Sequence, residues 1–148
     1  ELEGYLRNLI LTNITAKHQN IYPLENKKAV DIVVCRDGKS PALFFLEVKL
    51  FQKKHYRLGI GTGKGSGYQP EIIRLRPEYL ETNLRWVIVD GRKPSHSFLF
   101  LSTSIINDYL AGRRLGEKYN NIQIKIFNEI TSLSETQLTI ELSKWLLA

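Results

Sequence analysis

The chain has 148 residues, 43% hydrophobic and 24% charged, which is enough for one domain with a real core and excludes a disordered chain. No apolar run approaches the roughly 20 residues that span a bilayer, so no membrane partner is expected. A formal net charge of +6 and an isoelectric point near 9.5 favour an anionic partner, nucleic acid being the commonest, over the plainer alternative of a basic but ordinary surface.

The opening residues show no basic-then-apolar signal segment, and the single cysteine, Cys35, cannot form an intrachain disulfide. Both predict a cytoplasmic protein in which Cys35 is a buried thiol and no nucleophile. The first residue is Glu1 and the sequence holds no Met, so the natural start is expected upstream.

In chain order, Leu2 to Ile14 places Leu2, Leu6, Leu9, Ile10 and Ile14 at helical spacing. "AVDIVVC" (Ala29 to Cys35) is β-branched and reads as a strand. "RDGKSP" (Arg36 to Pro41) carries the Asp-Gly signature of a turn, and "ALFFLEVKLF" (Ala42 to Phe51) returns as a second strand of a hairpin. From Phe51 to Tyr68 the chain is rich in glycine and basic residues. "QPEIIRL" then predicts a helix with Pro70 in its first turn, stopped or bent at Pro77. Strands are predicted for Leu84 to Asp90, Ser97 to Ser102 and the alternating Ile122 to Phe127. A helix is predicted from Ser104, ending near Gly112 or Gly116. The last helix has a Ser134–Gln137 capping box and an apolar stripe of Leu138, Leu142, Trp145 and Leu146. That stripe suits its own core somewhat better than a subunit interface. The order describes a single α/β domain over residues 1–148.

Most known chemical signatures are absent. Gly63-Lys64 lacks both the first glycine and the Ser/Thr of a phosphate-binding loop, and no G-x-G-x-x-G is present. His18, His55 and His96 have no partner at zinc-site spacing. The arm at 51–68 carries Lys53, Lys54, His55, Arg57 and Lys64 and no acid, a composition suited to backbone phosphates, with a solvated tether as the alternative. Tyr68 and Arg74 extend this candidate DNA-contacting surface.

The remaining oddity is Glu47 and Lys49 at the end of an apolar strand, on the same face as Leu43 and Phe45. A hairpin turn near Gly38 and Lys39 brings Asp31 within a residue or two of Leu46. A register setting Asp31 across from Phe45 or Glu47 would put all three charged side chains on one face. Two converging carboxylates suit a hard divalent cation, and a neighbouring lysine suits an anionic transition state. The alternative is a structural salt bridge from Lys49 to Glu47 or Asp31.

Val30-Asp31 followed by Glu47-Val48-Lys49 resembles the PD-(D/E)xK nuclease superfamily, with valine in place of its proline. The resemblance implies a restriction-endonuclease-like core, in which a mixed central sheet is flanked by helices. It implies a helix before the hairpin and a helix and strand after it. It also implies a Mg²⁺-dependent endonuclease (with Mn²⁺ able to substitute) making double-strand breaks in DNA. Asp31, Glu47 and the Val48 carbonyl would hold metal and Lys49 would act on the attacking water. Gln69 would position substrate or water, and Glu3 of the first helix would be an outer ligand. In size the chain is most similar to small intron-encoded homing endonucleases of cyanobacteria, which implies a homo-oligomer, dimer or tetramer, on double-stranded DNA. A type II restriction endonuclease, a Holliday-junction resolvase and a non-catalytic DNA-binding module are the competing assignments.

Overall fold

The computed structural model describes residues 2–24, 31–59, 76–109 and 121–148. The first helix, α1 (Leu2–Ile10), passes directly into a π-helical turn over Leu11–Thr15, where the Ala16 N–H reaches back to the Leu11 carbonyl at 3.1 Å. The wider turn keeps Ile14 in the core below Ile10. Strand β1 (Ile21–Leu24) follows, a strand that the sequence does not announce because Pro23 sits within it. Proline lacks a donor and is tolerated on an edge, and β1 is the edge of the sheet.

Strands β2 (Ile32–Arg36) and β3 (Ala42–Phe51) form the predicted hairpin, pairing Ile32 with Leu46 and Arg36 with Ala42. The turn between them needs Gly38, whose φ of 104° is unfavourable for other residues. A short strand β4 (Arg57–Gly59) comes next. Helix α2 (Pro77–Asn83) follows, and β5 (Leu84–Asp90) then runs parallel to β3. Pro77 opens this helix: it occupies the first turn, where its missing N–H has no intrahelical partner to lose. The helix expected from Pro70 lies outside the described residues up to that point.

Strand β6 (Ser97–Ser102) pairs antiparallel with β5 and completes a mixed five-stranded sheet in the order β1-β2-β3-β5-β6. Helix α3 (Thr103–Tyr109) starts where predicted, and its expected end lies outside the described residues. The strand expected over Ile122–Phe127 is shorter than its alternation suggests. Only Asn121–Gln123 extends, as β7 paired with β4, and Ile126–Glu129 then coils as helix α4. This break lets Ile122 and Ile126 both reach the same core, which continued alternation with a four-residue spacing would also permit, so the sequence alone did not discriminate. The last helix, α5 (Glu135–Leu147), has both hydrogen bonds of its capping box.

Helices flank both faces of the sheet. On one face, α1 and α5 pack Leu6, Leu9, Ile10, Leu138, Leu142 and Leu146 onto Phe44, Leu46, Val87, Val89 and Phe98. The apolar stripe of α5 is thus used within its own domain. On the other face, Leu80, Ile106, Ile122 and Ile126 cover Phe51, Trp86, Ile88, Leu99 and Leu101. Strand β5 is buried on both faces, hence its continuous apolar run. Among the described residues no helix is long and apolar enough to cross a membrane.

Candidate active site

The hairpin register brings the acidic residues together. The ladder stops at the Ile32–Leu46 pair, and continuing it by one residue sets Asp31 in line with Glu47. Asp31 occupies a bend immediately before β2 instead of the strand itself. Its side chain takes over where the strand ends: Oδ2 accepts the Val48 N–H at 2.7 Å, satisfying an edge donor that β2 no longer reaches. The N–H and C=O of one strand residue leave on the same edge, so the Val48 carbonyl points to the Asp31 side of β3.

Glu47 is 3% exposed, a charge-bearing side chain in an apolar strand. Its pKa is pushed up to about 9. Burial is the main cause, followed by the neighbouring Asp31 charge. Lys49 opposes the shift, while Glu3 and a side-chain hydrogen bond with Asp31 reinforce it. Near neutral pH the Glu47 carboxyl therefore holds a proton. Lys49 shares the face of Glu47 and is half-buried, yet no ion pair joins it to either acid among the described residues. The salt-bridge alternative raised by the sequence thus lacks its bond.

Glu3, exposed on the first turn of α1, lies near enough for its charge to act on Glu47. Among the described residues, however, no three His, Cys, Asp or Glu side chains gather as a metal-ligand set. The donors at hand are the Asp31 and Glu47 carboxyl groups, joined by a side-chain hydrogen bond, and a backbone carbonyl. An all-oxygen set of this kind fits a hard divalent cation such as Mg²⁺, which characteristically keeps several waters.

The basic arm is described up to Gly59. Lys53, Lys54 and Arg57 are exposed, whereas His55 is half-buried and its Nδ1 accepts the Gln52 N–H at 3.0 Å, closing the turn. With Nδ1 accepting, the ring N–H is on Nε2. Lys64, Tyr68, Gln69 and Arg74 lie outside the described residues.

Two features at this end of the sheet carry no sequence motif. Tyr56, in the basic turn, is 67% exposed, a placement suited to stacking on a base. Asp90 ends β5 two positions past Ile88, the cross-strand partner of Lys49, and is only 8% exposed. The signal was the basic pair Arg92-Lys93 immediately after a buried strand ending in acid.

At the opposite end of the sheet a cavity of about 550 Å³ is lined by Arg36, Phe44, Tyr79, Asn83, Arg85 and Trp145. Arg36 donates to the carbonyls of Ser40, Leu146 and Ala148, and Arg85 donates to those of Glu81 and Leu84. Each guanidinium also lies over an aromatic ring, Phe44 for Arg36 and Trp145 for Arg85. These arginines are helix-end and turn fixtures.

No protein-family model matches the chain, and no curated protein or solved structure matches it.

Proposed function

We propose that this protein is a Mg²⁺-dependent DNA endonuclease that hydrolyses phosphodiester bonds, and that it acts on duplex DNA at a specific site as a homing endonuclease does. The observation that carries the proposal is the burial of Glu47 against Asp31, with Lys49 on the same face. A buried acid with a strongly raised pKa and a second carboxylate beside it is a poor structural element and a characteristic functional one.

Asp31, Glu47 and the Val48 carbonyl would hold the ion. When bound, it would supply charge neutralisation at the scissile phosphate and acidify the attacking water. Asp31 is kept in place by the Val48 N–H, which fixes its carboxyl beside Glu47. Glu47 must release its proton before it can act as a donor oxygen. Lys49 offers its ammonium to the charge that develops on the phosphate and orients the attacking water. One such site cuts one strand, so double-strand cleavage calls for a homo-oligomer with two-fold symmetry. Because the α5 stripe is occupied internally, the subunit contact must use another surface.

The test is cleavage of long DNA of mixed sequence with Mg²⁺ and with EDTA, using the native chain, Glu47→Ala and Lys49→Ala. Each variant should lose at least about 10²–10³-fold in rate while DNA binding persists. Metal-dependent cleavage retained by both variants would overturn the assignment of these residues. Preference for a four-way junction over linear duplex would move the assignment to a junction resolvase.

A further inference from the structure

Gly91 to His96, the loop between β5 and β6, emerges at the same end of the sheet as Lys49. From Lys49 to Asp90 is one strand across and two residues along, about 8 Å by ordinary sheet spacing. The loop is tied to the end of β3: the Gly91 N–H donates to the Phe51 carbonyl at 2.8 Å. The approach is close enough that a Cβ on Gly91 would lie 2.7 Å from Leu50 Cδ1 and 3.1 Å from the Phe51 carbonyl oxygen. The β5–β6 loop and the turn after β3 therefore move as one rim.

Within that rim Asp90 fixes the direction of Arg92. Arg92 Nε and Nη2 donate to the two carboxylate oxygens, both at 2.8 Å, and the Arg92 backbone N–H adds a bond of 3.1 Å to Oδ1. The aspartate is buried and fully occupied, while the arginine side chain remains 39% exposed, with Nη1 outside the fork. The Asp90 carboxyl is held below the usual carboxylate range chiefly by its Arg92 hydrogen bonds, so the fork stays ionised at neutral pH. Lys93 follows and is exposed; Lys53 and Lys54 lie on the adjoining turn. The acid of these two segments faces inward, so solvent meets cations.

We propose that Gly91–His96 is a phosphate clamp, in which Arg92, aimed by Asp90, and Lys93 bind backbone phosphates of the DNA strand flanking the bond served by Lys49. The clamp rests on the nuclease reading, since it needs DNA lying across this end of the sheet. A loop-closing ion pair alone would leave Arg92 and Lys93 without any part in binding, which makes the two roles separable. Arg92 is an anchoring residue here and takes no part in bond breaking.

The experiment is the salt dependence of duplex DNA binding in EDTA, measured by fluorescence anisotropy for the native chain, Arg92→Ala and Lys93→Ala, with melting temperature followed alongside. Each substitution should reduce the slope of log K against log salt by about one and weaken binding to all sequences alike. Should Arg92→Ala fail to fold, Lys93→Ala, at an exposed position, decides. Native slopes in the folded variants, from a protein that binds and cleaves DNA, would overturn the clamp and leave the nuclease reading standing. A native chain that neither binds nor cleaves DNA would overturn both.

Discussion

At the hairpin end of the central sheet, Arg36 and Arg85 lie over Phe44 and Trp145 with their donors on backbone carbonyls. One residue along β3 from Leu46, the partner of Arg85, and on the opposite face, Glu47 is more deeply buried than either arginine, yet the charge acting most strongly on it is another acid. Both groups set ionisable side chains in apolar surroundings, but the arginines donate to carbonyls whereas Glu47 meets a second acid. A compensated charge stabilises the fold at modest net gain, whereas a pair left in conflict costs stability that a ligand can restore. On the proposed reading, Asp31, Glu47 and Lys49 serve function while Arg36 and Arg85 serve the fold.

The sharpest way to break this comparison is Glu47→Gln. Cleavage should fall by at least about 10²–10³-fold, yet the folded protein should become more stable at pH 8 by about 1–3 kcal/mol, because folding no longer has to return a proton to an acid that is ionised in the unfolded chain. The sign follows from the direction of the shift. Glu47 rises from its ordinary 4.5 to about 9 in the fold, so the folded state holds the proton more tightly than the unfolded chain. Its contribution to stability is complete below about pH 4.5 and is lost as pH climbs through about 9. Urea denaturation across that range should show a declining native curve that Glu47→Gln flattens. A variant less stable than the native chain at pH 8 would mark Glu47 as a structural group.

Metal should act second. Mg²⁺ at a hundredfold excess over its dissociation constant should raise native stability by about 2.7 kcal/mol and do little for Glu47→Gln. Since Glu47 must release its proton, Mg²⁺ affinity should climb about tenfold per pH unit below pH 9. Calorimetric titration at two pH values checks this, with proton release read from buffers of different ionisation enthalpy.

Arg85→Ala tests the arginine group. Loss of its packing on Trp145 and its bonds to the Glu81 and Leu84 carbonyls should cost about 1–3 kcal/mol, with cleavage per folded molecule unchanged. Smallest is Ser134→Ala, outside both groups, which removes one side of the α5 capping box and should cost about 1 kcal/mol in thermal denaturation.

Much of this architecture was legible because burial leaves plain patterns. Ala42–Phe51, Leu84–Asp90 and Ser97–Ser102 are strands at their predicted bounds, being β-branched or aromatic runs closed by turn residues. The hairpin turn was readable from Asp37-Gly38, and from it came the approximate register that joins Asp31 to the Glu47 strand. What stayed hidden depends on partners far along the chain. Strand β1 exists because β2 offers it an edge, which Pro23 obscured. The turn at Ile124–Lys125 left no local mark, because a strand and a turn alike bring Ile122 and Ile126 to one core. Cys35, expected to be buried, is half-buried because it alternates with Ile32 and Val34, which take the covered face of β2. The Asp90–Arg92 fork gained meaning only when the parallel pairing of β5 with β3 placed it beside Lys49.

The β2–β3 hairpin closes over a short turn, whereas β3 finds β5 only after the long excursion from Phe51 to Leu84. Local closure is entropically cheap and fast, and a parallel pairing across a long loop is slow. Asp31 and Glu47 are therefore neighbours early, while Glu47 is still hydrated and free to ionise. Their conflict arises only when β5 and the covering helices dock and expel water. The resulting signature is kinetic: alkaline pH should hinder that late docking and hasten its reversal, leaving hairpin formation itself indifferent to proton concentration.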